Sequence, residues 1–188
     1  MNDFCILGAA ADIFVWRQKG FSMSEYNLGF SKKLAETARL VADEGVDSFD
    51  AVQTVIYLSL LSCEIALKAM LERSGLPVGK IREHSHNLEA LLGEVSNCQV
   101  EVDIAGGHLR WVPTVRIRSI PIKSEGAEST VGKLLSGETQ GASKYPNQIR
   151  YGSRLSSFPP DALVDTAYAV ADFAETHWNT IRQPIAKP

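Results

Sequence analysis

The sequence predicts a mainly helical fold: an up-and-down bundle of four to five helices, with a small β-hairpin arm and a long loop inserted before the C-terminal helix. Three observations carry this expectation. Residues 49–77, FDAVQTVIYLSLLSCEIALKAMLERSGLP, form one long apolar run. An alanine-rich amphipathic stretch follows Pro159 and Pro160. Between them, after Asn97, the apolar spacing changes from helical to alternating.

The chain has 188 residues, with 45% hydrophobic and 22% charged content. These are the proportions of a soluble globular protein with room for one sizeable core, and a single domain spanning residues 1–188 is expected. Residues 2–19 place Ile6, Leu7, Ala10, Ile13 and Phe14 near a 3.6-residue period and read as a short helix. From Ser24, a possible N-cap, Tyr26, Phe30, Leu34, Ala38 and Val41 recur at three or four residues until Gly45 ends the pattern.

The next helix is capped by Asp47 or Ser48 and stops at Gly75 and Pro77. Its residues 55–61 are apolar on nearly every side except Ser59, as expected of a central helix surrounded by neighbours. Within it, Glu64 and Lys68 stand four apart, the spacing of a stabilising ion pair. Ser85 or His86 opens a shorter helix through Val95.

Val100, Val102 and Ile104, a turn at Gly106–Gly107, then Leu109 and Trp111 read as a hairpin, with Val115, Ile117 and Ile122 continuing as strand. Residues 126–158 are rich in Gly, Ser and Pro and read as a loop, with at most a short helix near 130–135. The last helix is capped by Ser157, begins at Pro159 and Pro160, and buries Leu163, Ala167, Val170, Ala174, His177 or Trp178, and Ile181.

Charge is uneven. Between residues 104 and 160 eight basic side chains face three acidic ones, a balance of +5, while the remainder carries eleven basic and nineteen acidic, a balance of −8. An acidic scaffold with a basic insert points to an anionic partner. Three cysteines without CxxC spacing, no run of about 18 uninterrupted apolar residues, and Asp3 near the start lead to the expectation of a cytoplasmic protein with no membrane association. Phosphate-loop, dinucleotide, hydrolase-elbow and zincin motifs are absent from the sequence.

The segments CEIALKAMLERSGLP, then HSHNLEALL, then KYPNQIRYG ahead of an Ala-rich helix resemble the HEPN-like domain family. In that family an E-x-x-L-K-A-x-L helix is followed by a G-H-D/N-L helix start, and a Y-P or R-Y element precedes the last helix. The similarity covers residues 24–98 and 144–183. It implies a helical bundle of four or five helices that pairs as a homodimer, in bacterial defence, toxin–antitoxin or stress systems, beside an antitoxin or a nucleotidyltransferase-like partner. Many members cleave RNA without metal through an R-x(4-6)-H motif. Here the nearest pair, Arg82 and His86, has three intervening residues rather than four to six.

Arg82 and His86 are nevertheless the candidate catalytic pair: an imidazole to take the 2′-hydroxyl proton and a fixed cation for the phosphate. The plainer reading is that His86 packs at a helix start. Zinc on His84 and His86 has no third ligand placed by sequence, so neither a metal nor another cofactor is expected. Arg110, Arg116, Arg118, Lys144, Arg150, Tyr151 and Arg154, interleaved with aromatics, are candidates for contact with single-stranded RNA or a nucleotide. On an alternating strand Arg116 and Arg118 share one face. Three functions are consistent with these residues: a non-catalytic RNA- or nucleotide-associated module, a metal-independent endoribonuclease, and a protein-interaction module of a two-component system.

Overall fold

A computed structural model describes residues 24–104, 107–124, 127–140, 145–146 and 159–184. It is mainly helical with a small β insertion. In chain order the elements are α1 (Leu28–Glu44), α2 (Phe49–Arg73), α3 (Val78–Glu83), α4 (Leu88–Asn97), β1 (Gln99–Ile104), β2 (His108–Pro113), a 3-10 helix (Thr114–Ser119), β3 (Pro121–Ser124), β4 (Ala127–Thr130), α5 (Val131–Gln140) and α6 (Pro160–Thr176). The helix expected over residues 2–19 lies outside the described residues.

The central helix is α2. Ser48 caps it by accepting a hydrogen bond from the Ala51 amide, and Gly75, at φ +96°, lets the chain turn away after Arg73. Ile56, Leu60, Leu67, Met70 and Leu71 are fully buried. By length and composition α2 is apolar enough to cross a membrane, yet 72% of its apolar window is buried by the rest of the fold. The bundle itself accounts for that apolarity.

Helix α1 packs along α2. Its N-cap is Asn27, whose side chain accepts from the Phe30 amide, not Ser24. Its buried stripe is Ser31, Leu34, Ala35 and Ala38, so Phe30, expected inside, is 54% exposed. Small residues bring the two helices close: Ser31 Oγ donates to the Ser62 carbonyl at 2.9 Å, and Ser62 Oγ returns the bond to the Ser31 carbonyl at 2.8 Å. Helix α6 covers both α1 and α2 through Leu163, Ala167, Val170 and Ala174, the stripe its spacing predicts.

Two differences appear between α2 and the hairpin. Residues 78–83 form the short helix α3, and the following helix starts at Leu88 with Asn87 as cap, so His86 stands in the turn before it. Ser85 takes φ +51° in that turn. The hairpin β1–β2 forms in the register Val100↔Val112 and Glu101↔Trp111, with Gly107 at φ +79° in its turn. Cross-strand partners share a face, so Val100 and Val112 look to the core while Trp111 is on the opposite side.

Residues 114–119 are a 3-10 helix, not the continuing strand that alternation suggests. Alternation would bury Val115 with Ile117, but Val115 is 54% exposed and the buried residues are Thr114 and Ile117. Three residues per turn put those two on one side. Thr114 Oγ1 donates into the carbonyls of Val95 and Cys98 and fixes the turn against α4. Beyond it, β3 and β4 pair as a second hairpin where strand was expected only around Ile122, and α5 runs to Gln140, longer than the short helix expected near 130–135.

After α6 the chain closes back. Gln99 and Arg182 exchange backbone hydrogen bonds at 2.9 Å, and the Gln183 amide donates to the Ser74 carbonyl at 3.0 Å. The Arg182 guanidinium lies 3.3 Å from the centre of the Trp111 ring.

Candidate functional site

Glu64 and Lys68 interrupt the most apolar helix, and both are buried, at 4% and 7% exposure. A charge in such a place requires partners. Lys68 Nζ donates to Glu64 Oε1 at 2.7 Å, and the Tyr145 hydroxyl donates to Glu64 Oε2 at 2.6 Å. His86 Nδ1 lies 3.0 Å from each carboxylate oxygen. One carboxylate therefore holds groups from α2, from the turn before α4 and from residue 145.

Burial alone would raise the Glu64 carboxyl, but the hydrogen bonds from Lys68, Tyr145 and His86 outweigh it and hold it below the usual 4.5. Burial and the adjacent Glu64 charge push the Tyr145 phenol far up, so it stays a donor. An ionised carboxylate only accepts. The proton facing it therefore sits on His86 Nδ1, which in a neutral imidazole makes Nε2 the acceptor. The His86 side chain is 46% exposed, and Tyr145 packs edge-on to it with ring centres 6.3 Å apart. The result is an imidazole fixed from behind and open in front.

Arg82 belongs to a separate pair. Its Nε and Nη2 donate to the two oxygens of Glu25 at 3.1 and 2.7 Å. Glu25 is positioned because Glu72, in the last turn of α2, accepts from Ser24 Oγ and from the amides of Glu25 and Tyr26 at 2.8–2.9 Å. Lys68 connects the two pairs: bonded to Glu64, it also lies 5.4 Å from the centre of the Tyr26 ring. The sequence spacing of Arg82 and His86 suggests one helical face. In the structure α3 ends between them, and each is held by a different carboxylate.

The expected shared face of Arg116 and Arg118 is not formed, because they sit on a 3-10 helix and diverge. Arg116 Nη2 donates to His177 Nε2, with the guanidinium 5.6 Å from the centre of the Phe173 ring. Arg118 Nε donates to Ser96 Oγ on α4 at 3.1 Å. Arg110 is exposed on β2. Lys144, Arg150, Tyr151 and Arg154 lie outside the described residues. Among the described residues no three His, Cys, Asp or Glu side chains are grouped to hold a metal ion.

His177, named in the sequence only as a packing residue, is the acceptor of the Arg116 bond. Burial first, and then the Arg116 guanidinium, hold its pKa below 6.5. A histidine kept neutral in the fold but free to protonate when unfolded contributes stability that is fully present above 6.5 and is lost as the pH falls through the folded value. Urea midpoints measured on either side of that pH are expected to fall on the acid side in the wild type. In His177→Gln that part of the fall is expected to disappear.

The Glu64–Lys68 pair follows from its four-residue spacing, but the partners of Arg82 and His86 do not follow from the sequence. Tyr145 lies in the Y-P element, yet nothing in the sequence directs its hydroxyl to a residue 81 positions away. Glu25 and Glu72 carried no signal at all.

No family model, curated protein or solved structure matches this chain.

Proposed function

We propose that the chain is a HEPN-like helical module of a bacterial defence or stress system, cytoplasmic and homodimeric, that contacts single-stranded RNA or a nucleotide at the end of the bundle carrying His86. The observation that carries this reading is the buried Glu64 carboxylate. Placed within the E-x-x-L-K-A-x-L motif, it holds the imidazole of the HSHNL motif with its outer edge toward solvent. Two segments linked by the resemblance thus meet in one polar cluster. Arg82 stands near it, with Tyr26 and Lys68 between them, and supplies a cation of the kind that recognises phosphate.

A second reading, metal-independent RNA cleavage, is favoured by the same dyad. A carboxylate-held imidazole is a suitable base for the 2′-hydroxyl, and Glu64 would be its positioning residue. Arg82 would have to leave Glu25 to reach the phosphate. Incubating the pure protein with labelled single-stranded RNA in EDTA separates the readings. The non-catalytic module retards the RNA at low salt without cutting it. Cleavage that vanishes in His86→Ala and persists in Lys133→Ala establishes the enzyme. If the RNA is neither retarded nor cut at low salt, where electrostatic binding is strongest, both readings fail and a protein-interaction module remains.

A further inference from the structure

We infer that Glu25 occupies a phosphate subsite centred on the Arg82 guanidinium, with Tyr26 and Lys68 beside it, and that a phosphate group of RNA or of a nucleotide binds there by displacing it. The inference rests on the function proposed above and adds a location and an internal competitor.

The Arg82 fork meets Glu25 through two parallel bonds, the arrangement in which guanidinium groups also grip two oxygens of a phosphate. Tyr26 follows Glu25 directly in the chain, and the Lys68 ammonium, bonded to Glu64, lies 5.4 Å from the centre of the Tyr26 ring, so a second cation stands behind the same corner. The Arg82 fork thus holds one anion, with a second cation nearby. Lys33–Glu36 and Lys80–Glu83, by contrast, are single contacts between residues three positions apart on one helix.

Glu25 is a displaceable occupant. The Arg82 and Glu25 side chains are 65% and 36% exposed, and an ion pair open to water to that extent breaks at little cost. The backbone at residues 24–26 does not depend on it, because those residues are held by Glu72 instead. The Glu25 side chain can swing out while the donors stay in place. A phosphate in its position adjoins the Glu64–His86 pair through the shared Lys68.

The test is fluorescence anisotropy of a short labelled single-stranded RNA at low salt, on full-length wild type, Glu25→Gln, Arg82→Ala, Glu25→Gln with Arg82→Ala, and Glu36→Gln. The last variant frees a lysine on another face and controls for net charge. Removing the competitor is expected to tighten binding about fivefold, the factor by which an exposed pair at the strong end of its range competes. The gain should vanish when Arg82 is also removed and should be absent in Glu36→Gln. Displacement of the RNA from Glu25→Gln by adenosine monophosphate but not adenosine assigns the subsite to a terminal phosphate. Displacement by unlabelled RNA alone assigns it to a backbone diester. If wild type binds RNA and Glu25→Gln binds equally well, or no better than Glu36→Gln, the subsite is overturned while the proposed function stands. If no variant binds RNA or adenosine monophosphate, the proposed function falls first.

Discussion

Glu64→Ala is expected to lower the free energy of unfolding by about 3–5 kcal/mol, the cost of breaking a buried ion pair from one side. The loss comes from what stays behind: a buried Lys68 ammonium and a buried Tyr145 hydroxyl, both deprived of the carboxylate that satisfies them. The pH dependence identifies the cause. Because the Glu64 pKa is held below 4.5, its contribution is fully present above that value and is lost as the pH falls through the folded value. Urea denaturation across that range should show the acid loss in wild type and a flatter response in Glu64→Gln. A Glu64→Ala loss under about 1 kcal/mol would show that the cluster is hydrated rather than buried.

Leu67→Ala, one helical position before Lys68, is expected to cost about 2–5 kcal/mol for a different reason. Leu67 is fully buried, and its removal leaves a cavity that neighbours on one face of α2 cannot fill without moving the helix. No titrating group is involved, so the loss should be the same at neutral and acid pH. The two variants therefore separate apolar packing from the polar cluster: similar in size at neutral pH, they diverge as the carboxylate protonates. His86→Ala should leave stability closer to wild type than either, since the imidazole is half exposed and leaves no cavity behind it.

The long helices were legible because their signal is local and repeated. Ser48, Gly45 and Gly75 act at the positions their chemistry predicts, and α6 buries the stripe its alanines and leucines outline. Capping was less legible at α1: Asn27, one position before the helix, is the cap in place of the expected Ser24, which bonds Glu72 instead. The stretch TVRIRS misled because its alternation is also compatible with a three-residue period, and the bonds from Thr114 to α4 decided between them. Tertiary contact settled what local pattern left open.

The site divides the same way. The Glu64–Lys68 pair could be read from spacing alone, since four residues within a helix fix a geometry. His86 with Glu64, Arg82 with Glu25 and Tyr145 with Glu64 could not, because 22, 57 and 81 positions of chain separate them. No periodicity predicts which distant carboxylate a side chain meets. The same holds for Arg116 and His177, which become partners only because the 3-10 helix turns one toward the other.

The order of the elements has a consequence for synthesis. Helix α2, the greasiest segment of the chain, leaves the ribosome well before α6, whose alanine-rich face later shields it. Until then the nascent polypeptide presents a sticky surface of the kind that recruits chaperones or nucleates aggregates. Stopping translation ahead of residue 160 should therefore produce a product that accumulates in inclusion bodies, whereas loss of a few terminal residues beyond Pro184 should leave that shield in place.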